Sequence, residues 1–151
     1  MTIQALSVSI FNRWNNASLN TSIATLYPAG GNPSSKNNTT GSPEGTSLPR
    51  AEYYSAVGPA ESRSRNTRVY QGVTQFSVWG NDFETTNGYV DSIYDAFLNC
   101  DEAATSPMTI TGGVVLQVEE GGQDCNKVDD EVWRGEITIT VRYELRNTVP
   151  S

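Results

Sequence analysis

The sequence predicts an α+β domain: an antiparallel sheet of about four long strands plus a short one, with two helices packed on one face. Three observations lead there. Apolar residues recur at helical spacing in two segments, residues 2–15 and the stretch that opens near Asn81. Long segments with strand character lie next to one another in the chain, as hairpin partners do. The last of them, residues 132–146, alternates cleanly between apolar and polar positions.

In the first helix Ile3, Leu6, Ile10, Phe11 and Trp14 form one apolar face, Thr2 is a candidate N-cap and Asn15–Asn16 a plausible stop. Residues 22–27 (SIATLY) read as the short strand, ending at Pro28. Residues 28–47 are dominated by Gly, Pro, Ser, Asn and Thr, and predict a long flexible loop. Residues 48–58 form a second strand, opened by Pro49, where a missing N–H does least harm. Tyr53, Ser55 and Val57 share one side of it.

The third strand runs through Val78–Trp79, with Tyr70, Thr74, Phe76 and Val78 on the face assigned to the core. It breaks at Gly80–Asn81–Asp82. Asn81, with Glu84 three residues on, has the spacing of a capping box for the second helix. That helix carries Val90, Ile93, Tyr94, Phe97 and Leu98 as its apolar stripe. Residues 108–119 predict a fourth strand in which Gly112–Gly113 marks a bulge or a close backbone approach. An acidic loop, 119–131, follows. In the last strand Ile137, Ile139, Val141, Tyr143 and Leu145 face in, and Thr138, Thr140, Arg142, Glu144 and Arg146 face out. The whole chain, 1–151, reads as a single domain.

The composition excludes several kinds of chemistry. Histidine is absent, which removes the side chain best suited to proton transfer near neutral pH and the commonest zinc ligand. A Ser–His triad is therefore impossible, and neither a phosphate-binding glycine loop nor a nucleophile elbow occurs. The acids at Asp124, Asp129, Asp130 and Glu131 lack calcium-loop spacing. Hence no catalytic residue, metal or cofactor is predicted. The formal net charge of -7 argues against a surface that grips nucleic acid. No apolar run is long enough to span a membrane, and MTIQALSVSIFNRW lacks the basic start and cleavage site of a signal peptide. Cys100 and Cys125 are too few for a disulfide framework, and either two free thiols or a single bridge is compatible with them.

Charge is unevenly placed. Arg50, Arg63, Arg65 and Arg68 fall at or near the ends of the second and third strands, whereas twelve acids and one base, Lys127, lie between Asp82 and Glu131. Opposite charge on different parts of one subunit favours head-to-tail contacts that close into rings. The candidate subunit interface is therefore those four arginines against Glu119, Glu120, Asp129, Asp130 and Glu131. Trp79 and Trp133, each at a strand terminus, are its aromatic anchors.

The strand–helix unit VTQFSVWGNDFETTNGYVDSIYDAFL resembles the central segment of the bacteriophage tail terminator (tail completion, minor tail) family. Val78–Trp79–Gly80 stands where the family has a strand-ending aromatic pair and a small residue. Tyr89, Val90, Ile93, Tyr94, Ala96, Phe97 and Leu98 follow the register of its helix. The N-terminal helix, the short strand ending at Tyr27–Pro28, the Leu48–Pro49 strand start and the final strand keep the family's order. The long loops at 28–47 and 120–131 depart from it.

The resemblance implies a virion structural protein, assembled in the host cytoplasm. It implies a ring, usually a hexamer, that ends tail-tube polymerisation and joins the tail to the head connector while DNA passes through its lumen. Its partners would be copies of itself, the tail-tube protein and a connector or neck protein, with no membrane. A tail-tube or neck subunit is the alternative within that class. A monomeric ligand-binding domain with a pocket between sheet and helices is the alternative outside it.

Overall fold

The computed structural model describes residues 2–28, 48–64, 66–98, 100, 104 and 107–146. The elements run α1 (Thr2–Asn16), α2 (Leu19–Ser22), β1 (Leu26–Pro28), β2 (Arg50–Val57), β3 (Ser62–Arg63), β4 (Thr67–Gly80), α3 (Phe83–Leu98), β5 (Thr109–Ile110), β6 (Gly113–Asp129) and β7 (Val132–Arg146). One sheet holds all the strands, in the order β1-β2-β4-β7-β6-β5, and β3 extends the β2 side of β4. The four long strands are those expected. The short strand β1 was expected too; two further short strands, β3 and β5, and a third, single-turn helix are additions.

Both long helices cover one face. Leu6, Ile10 and Trp14 of α1 and Val90, Ile93 and Phe97 of α3 are fully or almost fully buried, against Phe76, Val78, Ile137, Ile139, Val141 and Tyr143 of β4 and β7. Phe76 is the central contact. It stacks on Trp14 at 5.9 Å between ring centroids and meets Phe97 at 4.8 Å, so one sheet residue touches both helices. Close approach of α3 needs Gly135, because a Cβ there would collide with the Val90 side chain. The two buried hydroxyls that face each other in this layer, Ser55 and Thr74, share a hydrogen bond of 2.8 Å. The Trp14 indole N–H donates to the Ala24 carbonyl at 2.9 Å. Cys100 and Cys125 are not joined in a disulfide, and the Cys100 thiol donates to the Phe97 carbonyl at 3.1 Å.

Several expectations need correction. The short strand begins at Leu26, not at residue 22. Leu19 and Ile23 are four residues apart and both buried, a helical spacing that puts Leu19–Ser22 in a turn of helix. β1 also pairs parallel with β2, so the sheet is mostly rather than wholly antiparallel. The long connection between them permits this, since parallel neighbours need a crossover, not a hairpin. Residues 29–47 of the predicted loop lie outside the described residues, as does Arg65.

The cap of α3 is Asp82 rather than Asn81. Its Oδ1 accepts the Thr85 N–H at 2.7 Å and its Oδ2 the Thr85 hydroxyl at 3.1 Å. Gly112–Gly113 marks a close backbone approach, not a bulge: a Cβ on Gly113 would collide with the Glu144 backbone carbonyl. Thr111 and Gly112 form a two-residue turn between β5 and β6, with Gly112 at φ 80°, a value that glycine adopts without strain.

The largest correction concerns 119–131. This segment is not a loop, because β6 continues to Asp129 and pairs with β7 almost throughout. The turn is only Asp130–Glu131. Register shifts at Val115/Gln117, Glu120/Gly122 and Lys127/Asp129 explain why no alternation shows in the sequence. Each shift moves the side chains that follow to the other face. From Glu119 onward every β6 residue is exposed except the half-buried Cys125, so backbone pairing alone sustains the strand. Among the described residues its far side is paired only where β5 reaches Gly113 and Val114.

Replacing Phe76 with Ala removes both aromatic contacts at once, and urea denaturation should show a loss of about 3–5 kcal/mol. Burial, reinforced by the neighbouring Tyr70, pushes the Tyr143 phenol from 10.0 up to about 12. The folded state therefore holds this proton more tightly than the unfolded chain. Its stabilising effect is complete below pH 10.0 and lost as pH rises towards 12. The urea midpoint should fall across that window, and less steeply in Tyr143→Phe.

Candidate functional site

The helices leave the opposite face of the sheet uncovered. Because β2, β4 and β7 pair without a break, its side chains stand in rows across the strands. The end row is Arg50, Trp79 and Arg134, and beside it lie Glu52, Ser77 and Glu136. Next come Tyr54, Gln75 and Thr138, then Ala56, Val73 and Thr140. The middle of the face is neutral and open, with Tyr54 60% and Val73 42% exposed.

Polar contacts hold the rows in place. Glu136 accepts from Gln75 Nε2 at 2.7 Å and pairs with Arg134 Nε at 2.9 Å. Further along, Arg142 Nε reaches Glu61 at 3.2 Å. A cleft of about 30 Å³ lies among Gln71, Gln117, Glu119, Thr140 and Arg142. It is the size of a water site and far below that of a ligand pocket.

The antiparallel hairpin separates the four arginines that the sequence groups together. Arg50 starts β2 and is therefore opposite Trp79, at the end of β4. Its guanidinium carbon sits 4.5 Å from the centre of the Trp79 ring, a cation–π contact. Arg63 and Arg68 face each other across β3 and β4 at the other end of the sheet, both exposed. Arg68 and Trp79 are eleven residues apart on β4, about 36 Å along an extended strand.

The acidic candidates divide too. Glu119 and Glu120 are exposed midway along β6, whereas Asp129, Asp130 and Glu131 form the turn at the Arg50 end. Asp129 Oδ1 accepts the Asp130 N–H at 2.8 Å, and Glu131 has a left-handed backbone, φ 55°. Trp133 is next to Gly80 at this same end, but on the helix side of the sheet. There Phe83 of α3 meets it edge-on at 5.4 Å between centroids. Among the described residues no group of His, Cys, Asp and Glu could hold a metal ion, and no helix is long and apolar enough to cross a membrane.

Sequence reasoning missed Arg134, Glu136, Gln75 and Phe83. Alternation in 132–146 already puts Arg134 and Glu136 on the outward face with Thr138. Their coupling to Gln75 depends on register, which no local pattern reveals. Phe83, 50% exposed in the first turn of α3, lies outside the helix stripe.

Comparison with solved structures finds a likeness of fold. This chain has the fold of a chain in the virion of a native gene transfer agent particle. The two superpose with a TM-score of 0.61, over 94% of this chain and 96% of that one, at 15% sequence identity. At that identity the likeness is one of fold. No family model and no curated protein matches the sequence.

Asp82 anchors α3 at the Arg50–Trp79 end. The Thr85 N–H, and then its hydroxyl, hold the Asp82 carboxyl below the ordinary value of 3.8. The charged form therefore stabilises the helix above the ordinary aspartate range, and this is lost as pH falls through the lowered value. Asp82→Ala should lower Tm by a few degrees at neutral pH, and the difference from the parent protein should shrink on acidification below that range.

Proposed function

We propose that this protein is a structural component of a phage-like virion. In this reading it forms a ring, on the family resemblance a hexamer, at the head-proximal end of the tail tube. The ring ends tube polymerisation, joins the tail to the head connector and lets DNA through its lumen.

The observation that carries the reading is the fold shared over nearly the full length of both chains with a virion component. The resemblance of the Val78–Trp79–Gly80 junction and the α3 register to tail terminators narrows it to the tail. Two structural features support a place between unlike neighbours. Among the described residues one face of the sheet has no covering layer, as expected of a surface completed by assembly. The ends of the sheet also differ in sign, with Arg63 and Arg68 at one and Asp82, Glu84, Asp129, Asp130 and Glu131 at the other. A subunit built that way presents different partners with different surfaces. The net charge of -7 suits a channel that passes DNA without holding it.

Size-exclusion chromatography with light scattering, followed by negative-stain microscopy, tests the reading, alone and with a purified tail tube. Closed rings that cap tubes are the expected result. Long filaments of this protein alone would identify a tube subunit instead. A monomer that neither closes into rings nor binds tubes would overturn the proposal. Reversing Arg63 and Arg68 to Glu should weaken docking to the neighbour that faces that end by at least tenfold.

A further inference from the structure

We infer that the Arg50–Trp79 corner of one copy receives the acidic turn Asp129–Asp130–Glu131 of the next copy in the ring. The inference rests on the ring reading above and names the contact that closes it.

The two features lie on opposite sides of one sheet at the same end. Arg50 and Trp79 belong to β2 and β4, on the β1 side, and the turn joins β6 to β7 on the other. Register puts Arg50 level with Trp79, Arg134 and Asn126, and Asp129 is three residues beyond Asn126. That offset is about 10 Å along the strands, within the combined reach of an arginine and a glutamate side chain. Arg63 and Arg68 are about 36 Å from that level and cannot meet the turn of a copy standing alongside. Opposite sides at one level are what a heterologous, closing contact requires. A subunit carries one half on each flank, and every copy supplies the other half to its neighbour.

The chemistry is complementary. Among the described residues no carboxylate forms an ion pair with Arg50, and its buried Nε has no hydrogen-bond partner. Arg134 and Arg142, on the same face, are both paired. The Trp79 ring already holds the Arg50 guanidinium in place, so little side-chain freedom remains to be lost when an anion arrives. On the other side three successive exposed acids occupy the turn, and none forms an ion pair among the described residues. Within the turn Glu131 has a positive φ, 55°. Glycine would sit at φ 55° with less strain, so a carboxylate at this position is not a requirement of the turn itself.

The test uses the full chain and four variants, each checked for a cooperative melt, with oligomeric state read by light scattering and microscopy. Arg50→Glu, and separately Asp130→Arg with Glu131→Arg, should each shift rings to monomers and weaken association at least tenfold. Combining the two reversals should restore rings. Glu131→Gly separates folding from assembly, because it should raise Tm while weakening the ring. If Arg50→Glu does not fold, the turn variants carry the test, since their side chains are exposed. Rings that persist in the turn reversal or in a folded Arg50→Glu overturn the inference and leave the ring reading intact, with the turn free to face another virion protein. A parent protein that forms no ring under any condition overturns both.

Discussion

The helix layer depends on one aromatic side chain in the middle of a strand. Phe76 lies between Trp14 of α1 and Phe97 of α3, so the two helices are tied to each other through β4 as well as directly. Its position also sets the rest of β4. With Phe76 facing in, Thr74 and Val78 must face in, and Gln75, Ser77 and Trp79 must face out. The placement of Trp79 beside Arg50 thus follows from the packing of a residue three positions earlier. A one-residue slip in β4 would bury Gln75 and expose Phe76, which is why the register of this hairpin is so well determined.

Packing on a single face has a price on the other. The outer rows are held by pairs such as Gln75–Glu136 and Glu136–Arg134, partly exposed contacts of small individual worth. They order side chains more than they stabilise the domain. The result is an open, arranged face with an arginine–tryptophan corner.

Much of this was legible beforehand, and the reasons differ by element. The α1 and α3 stripes and the β7 alternation were readable because each packs one face continuously, so burial imposes a period on the sequence. Asp82 was missed in favour of Asn81 because both residues are good caps and only the helix start distinguishes them. β6 beyond Val118 was unreadable for a deeper reason. Its side chains are exposed and its three register shifts break the period, so nothing about residues 119–129 reflects the ladder that holds them. The site suffered from non-local geometry. Arg50 is close to Arg63 in sequence, but the hairpin carries it to the far end of the sheet and sets it against Trp79.

The bare margin of β6 carries a hazard of its own. From Val115 to Asp129 one side of this strand presents backbone donors and acceptors without a partner strand among the described residues. Such a margin is a template for uncontrolled stacking of chains into fibrils. Here it is blunted by Glu119, Glu120, Asp124, Lys127 and Asp129, and by irregularities that twist it at three places. Those same acids and kinks that obscure the strand in the sequence act as gatekeepers. Charges and bulges along a strand margin oppose edge-to-edge pairing of chains.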